Sequence, residues 1–186
     1  MTAAACSEIE RAGGPATGGD PADPVFDPRL LRHAFGRFAT GVTVITTRAP
    51  DGRSVGMTAS SFNTVSLDPP LILWSIRLTT PSLAAFRANS HFAVNVLAAH
   101  QEDVCARFAR PAEDKFEGLA HRPGLGGAPI LDGAITRLQC RVWARYPGGD
   151  HEIFVGRVLD VETIEGDPLV FHGGALHHLA PTAALA

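Results

Sequence analysis

Cysteine is scarce in this chain: Cys6, Cys105 and Cys140 are the three present, odd in number and far apart. That excludes a disulfide framework and fits a reducing cytoplasm. No CxxC pair occurs, and the eight histidines fall into neither a zinc-finger nor an HExxH spacing, so no metal centre is expected. Runs of lysine or arginine are missing and the net charge is -3, which argues against nucleic acid as a partner. Long apolar runs are missing too. The longest, such as Leu71-Ile72-Leu73-Trp74, have strand length and exclude a membrane-spanning helix. The opening residues lack the basic-then-apolar order of a secretion signal. Neither a nucleophile elbow nor a Ser-His-Asp order is evident, so the sequence offers no protein nucleophile.

Turning to what is there, residues 1–24 are mostly Ala, Gly, Pro and Thr, too poor in apolar bulk to offset the entropy of ordering, and read as a disordered tail. Residues 25–186 are long enough for one domain with an ordinary core. Asp27-Pro28 opens a helix, Asp as N-cap and Pro at the first position. Leu30, Leu31, Ala34, Phe35 and Phe38 share its apolar face, which should pack on the core, and Gly41 is a plausible stop.

The rest is dominated by β signals. Val42-Thr43-Val44-Ile45-Thr46-Thr47 is β-branched, Pro50-Asp51-Gly52 turns, and residues 54–62 return as its partner. Strands are expected over 65–67, 71–76 and 92–97, and short helices over 82–88 and 101–109. A Gly/Pro-dense loop covers 110–133. A long hairpin runs over 135–146 and 153–164 about Pro147-Gly148-Gly149-Asp150. Hairpins prevail, and no strand is followed by a Gly-rich turn and a long helix. The natural architecture is a small, mainly β antiparallel barrel with short peripheral helices, not a doubly wound sheet.

Several segments could carry chemistry. Thr80 can cap the helix after Arg77, with Pro81 at its first position and Ser82 adding a hydroxyl, so that the helix start favours an anion. An ordinary capped helix would look the same. In Thr58-Ala59-Ser60-Ser61-Phe62 the apolar positions of a strand shrink, which lets a flat ligand approach the backbone, or simply marks an edge strand. Gly149-Asp150-His151 is a polar turn whose imidazole could serve a second substrate as donor or general acid, or sit idle in solvent. Asp114-Lys115-Phe116 lies in the long loop, where Lys115 could meet a phosphate or ring edge and Phe116 form a wall. Asn95, in an apolar strand, could orient a cofactor or bond a neighbouring loop. Cys105 and Cys140 read as core filler, and His172, His177 and His178 as structural or exposed.

Taken in order, these segments resemble the short-chain flavin reductase family, the reductase components of two-component flavin-dependent monooxygenases. The opening run 35–47, Gly56-Met57-Thr58-Ala59-Ser60-Ser61-Phe62, Val65-Ser66-Leu67-Asp68-Pro69-Pro70, Phe92-Ala93-Val94-Asn95-Val96-Leu97, Asp114-Lys115-Phe116 and Gly149-Asp150-His151 carry the likeness over residues 26–179. The resemblance implies a split β-barrel with a Greek-key core that binds FMN or FAD, works as a homodimer, and reduces flavin with NADH or NADPH for a monooxygenase partner. Carried over by position, Thr58, Ala59, Ser60 and Ser61 line the ring and ribityl chain, with Ser66 close by. Arg77, Thr80 and Ser82 hold the phosphate end, although Leu78-Thr79-Thr80-Pro81 departs from the family's usual Ser and Arg or Lys. Asn95, Lys115 and Phe116 flank the pocket, and His151 faces the nicotinamide. Two other readings share the barrel: a flavin carrier without nicotinamide chemistry, and a pyridoxine-phosphate oxidase-like enzyme.

Overall fold

The computed structural model describes residues 24–180. The expected tail lies outside them, save for its last residue. Among the described residues the first helix is α1 (Pro28–Phe35), where Asp27 accepts from the Arg29 amide at 2.8 Å and Pro28 occupies the first position. It stops earlier than expected. Gly36, not Gly41, is the C-cap, and its N–H donates to Arg32 and Ala34 carbonyls. Gly41 instead belongs to β1 (Thr40–Gly41) and pairs with Val170. The expectation that α1 packs on the core is also corrected. None of its residues is buried, and Phe35 and Phe38 are 71% and 76% exposed.

The main body is a seven-stranded sheet in the order β3-β2-β6-β9-β10-β5-β4, antiparallel throughout. Its members are β2 (Thr43–Arg48), β3 (Ser54–Ala59), β4 (Asn63–Leu67), β5 (Pro70–Arg77), β6 (His91–Val96), β9 (Thr136–Gly148) and β10 (His151–Thr163). Two short strands, β7 (His121–Pro123) and β8 (Pro129–Leu131), pair within the stretch expected to be loop. β1, β11 (Val170–His172) and β12 (Ala175–His177) form a third, small sheet. The remaining helices are α2 (Leu83–Ala88) and α3 (Glu102–Ala109).

β2 explains why this sequence curls rather than lying flat. Its side chains alternate between two cores, so it is buried on both faces. Ile45 points into a cluster with Trp74, Phe86, Phe92 and Phe154, whereas Val44 joins Leu97, Val104, Phe108 and Phe116 under α3. In the first core Trp74 stacks on Phe154 at 4.9 Å and meets Phe86 edge-on at 4.9 Å, arrangements that suit the aromatic quadrupole. Beyond the Asn63–Leu73 rung that ends the β4–β5 ladder, β5 runs on without a backbone partner on that side. There Ser61 bridges to Ser75 of β5, its Oγ accepting from the Ser75 amide at 3.0 Å and donating to the Ser75 carbonyl at 3.1 Å. Cys105 and Cys140 are buried free thiols, as expected of core filler, and burial pushes Cys140 up to about 12.

Candidate functional site

A groove of about 730 Å³ opens between the edge strand β3, helix α2 and the segment that follows α3. This is within the size range of small-molecule sites. Residues 53–57 form its floor, Thr80, Ser82, Ala84, Ala85 and Ala88 one wall, and residues 109–113 with Lys115 and Phe116 the other. Small side chains on α2 leave the space open, and the floor is backbone-rich because β3 has no ladder partner on that side.

The far wall depends on Gly56. A Cβ there would lie 2.6 Å from Phe108 Cε1 and 3.2 Å from Phe116 Cζ, so the edge-to-face pair of these rings, centroids 5.0 Å apart, fits only over a glycine. Phe116 is fixed further by its amide, which donates to Asp114 Oδ1 at 2.8 Å. Beside it the Lys115 ammonium donates to the Phe108 carbonyl at 3.0 Å and the Gly56 carbonyl at 3.3 Å. An ammonium has three donors, so one is left over, and Lys115 has no carboxylate partner among the described residues. Burial holds its pKa below the ordinary lysine value. A half-buried cation without a counter-charge, facing two hydroxyl-bearing residues, is a setting for an anionic ligand.

Of the residues singled out in the sequence, Thr80, Ser82, Lys115 and Phe116 line this groove. The rest are placed elsewhere. Thr58 donates to the Cys105 carbonyl at 2.8 Å, tying β3 to α3, and Ala59 is buried in the first core. Ser60 is exposed, Ser61 bonds Ser75 past the end of the β4–β5 ladder, and Ser66 lies on β4, the opposite edge of the sheet. Asn95 does not line the groove but ties β6 to β2 and β8. Fully buried, it donates to the Val44 carbonyl and Thr46 Oγ1 and accepts from the Leu131 amide at 2.8 Å. Thr80 is not the cap of α2 either. Its carbonyl accepts from the Leu83 amide in a turn, the helix starts at Leu83, and Ser82 at the N-cap makes no side-chain cap bond. A six-residue helix without that cap gives no anion site of its own, so the phosphate argument passes from the helix tip to Lys115.

Arg77 and His151 sit together at the end of the β5–β10 ladder, as register partners. The two-residue turn Gly149-Asp150, with Gly149 at φ +67°, sets His151 on the first rung of β10. Asp150 Oδ1 lies 2.6 Å from His151 Nδ1 and its Oδ2 3.9 Å from Arg77 Nε. The hydrogen bond to His151 and then the charges of His151 and Arg77 hold the Asp150 carboxyl below its ordinary value. A carboxylate can only accept, so Nδ1 carries the proton and Nε2 is left for another partner. Groove residues that sequence reasoning missed are Arg53, Ser54, Val55 and Arg110. Their signal was an edge strand following a charged turn, in which Asp51 pairs Arg53 at 2.7 Å, and a basic residue at the end of α3.

The chain is similar to known proteins. The chain is 44% identical over 160 residues to the FMN reductase (NADH) SmoA of Agrobacterium fabrum, covering 83% of this chain and 91% of that protein. It is 40% identical to HsaB of Rhodococcus jostii, the reductase subunit of a flavin-dependent monooxygenase, over 88% of this chain and 84% of the other. Against two Rhizobium meliloti relatives it spans 58% and 44% of their length. Among solved structures, the NADH:FAD oxidoreductase SgcE6 of Streptomyces globisporus C-1027, in complex with NAD and FAD fragments, superposes with a TM-score of 0.80 at 37% identity, covering 87% of this chain and 99% of that one. Residues 35–180 match the flavin reductase like domain, and the chain belongs to that family.

Proposed function

We infer that this protein is an NADH-dependent flavin reductase that supplies reduced flavin to a monooxygenase partner. The observation that carries the reading is the unneutralised Lys115 ammonium in a groove with an aromatic wall and a backbone floor. The donor set fits a flavin nucleotide: one ammonium, two guanidinium groups, and the hydroxyls of Ser54, Thr80 and Ser82 for phosphate oxygens, with Phe116 and Met57 as apolar surface.

Bound flavin supplies the acceptor for the two electrons carried by the nicotinamide. The chain's own part is to hold, orient and exclude water. Lys115 fixes the anionic part of the ligand, because its remaining donor has nothing else to bond. Thr80 and Ser82 add neutral donors across the groove. Ser60, exposed where the floor strand ends, is available to a polar ring edge, as the family resemblance implies for residues 58–61. His151 serves the nicotinamide side, with Nε2 presented and its orientation set by Asp150. Two buried thiols suit a reducing cytoplasm.

The protein works as a homodimer in this reading. Val25, Phe26, Leu30, Phe35 and Phe38 form an apolar run about α1 that the described chain leaves exposed, and a second copy would cover it.

The test is direct. Purified protein is mixed with FMN or FAD, and oxidation of NADH and NADPH is followed by absorbance. Consumption of NADH with either flavin is expected; no consumption with either overturns the assignment.

A further inference from the structure

Helix α2 is too short to hold its own shape. It has no charged residue except Arg87, and its inner side, Leu83, Ala85 and Phe86, is buried. Ala84, Ala85 and Ala88 face the groove, so the path of α2 sets the groove's width. Besides the core contacts of Leu83 and Phe86, its last turn is tied down by a carboxylate. Glu152 of β10 is 11% exposed at its side chain, and its Oε2 accepts from Arg87 Nε at 2.7 Å with Nη2 at 2.6 Å. Its Oε1 lies 3.7 Å from Arg145 Nε on the neighbouring strand β9. Successive strand residues point to opposite faces, so Glu152 clamps α2 from one face of β10 while His151, the residue before it, lies on the other.

Resting on the flavin reductase reading, we propose that Glu152 is a positioning residue of the flavin groove, acting through Arg87 to hold the α2 wall against the sheet. The Glu152 carboxylate is nearly buried while Arg87 and Arg145 are half exposed, so removing its charge releases Arg87 to water and with it the tie on the last turn of α2. The neutral isostere Glu152→Gln keeps the volume and one acceptor but not the ionic clamp. α2 then drifts, and the groove loses its fit to flavin while the β5–β10 ladder that carries His151 stays paired.

The experiment is a double-mutant cycle on Glu152→Gln and Arg87→Met in the full chain. The dissociation constants of FMN and FAD are measured by fluorescence, the KM for NADH by steady-state kinetics, and Tm in parallel. Glu152→Gln is expected to weaken flavin binding about tenfold and move the KM for NADH much less, since small misplacements of a binding wall are costly. Arg87→Met should weaken flavin binding likewise, and the double variant no more than Glu152→Gln alone. Additive losses, equal losses for flavin and NADH, or a lower Tm with unchanged flavin affinity each overturn the proposal. Wild type is the control for the underlying reading: if it neither binds nor reduces flavin, that reading falls, whatever the variants do.

Discussion

The Ser61 hydroxyl replaces a rung of the sheet: it meets both the amide and the carbonyl of Ser75, just past the end of the β4–β5 ladder. Ser61→Ala leaves a half-buried amide and carbonyl unpaired. A loss of roughly 2 kcal/mol of stability follows from the usual cost of stranding such groups. Urea denaturation measures it, and an unchanged midpoint would show that water fills the gap.

Gly56→Ala drives a methyl group into the Phe108 and Phe116 rings. Overpacking of this kind costs about 1–3 kcal/mol. Because Phe116 is also a groove wall, flavin affinity should fall together with Tm. A variant that loses stability but binds flavin as before would separate the ring pair from the site.

For Lys115 the prediction is a pH profile. Burial lowers its pKa, so the free protein loses the ammonium at a lower pH than an exposed lysine does. Flavin affinity should weaken as pH rises through that lowered value, and the profile of Lys115→Met should be flat. The stability of the ligand-free fold moves the other way. With the folded value below the unfolded one, stability rises with pH between the two. Isothermal titration over a pH series checks the first and thermal denaturation the second.

His151→Ala should raise the KM for NADH about tenfold while flavin affinity stays close to wild type, the pattern of a lost contact to one substrate alone. Steady-state kinetics at saturating flavin reads it. Unchanged kinetics would remove His151 from the nicotinamide side.

If a second copy covers α1 as proposed, replacing Leu30 and Phe38 together by Glu should give a monomer where the wild type is a dimer. Both side chains are exposed, so the monomer's own core is untouched. Sedimentation velocity distinguishes the two states, and an unaltered dimer would place the interface elsewhere.

The sheet was legible because its signals are local. The β-branched run before Ala49 and the Gly149-Asp150 turn each announce their element within a few residues. The helix α1 was legible as an amphipathic face, but not what covers it: Phe35 and Phe38 carry the same pattern whether the cover is a core or another molecule. At residues 80–82 two capping residues flanking a proline made the start of α2 ambiguous, and a backbone bond from the Leu83 amide to the Thr80 carbonyl decided it. The groove was legible only in part, since β3 and residues 109–116 are far apart in sequence and only folding brings them together. Of the strand that carries the 58–61 motif, residues 54–57 line the groove. Asn95 shows the opposite limit, for a buried amide that ties two strands together and one that holds a ligand look alike in a string of letters.

Both acceptors that hold the Lys115 ammonium are main-chain oxygens, at Gly56 and Phe108. The cation's address is thus written in the course of the polypeptide, not in the choice of neighbouring side chains. Evolution or a protein engineer can therefore exchange the alanines of the opposite wall to retune which nucleotide is preferred, and the electrostatic anchor will stay where it is.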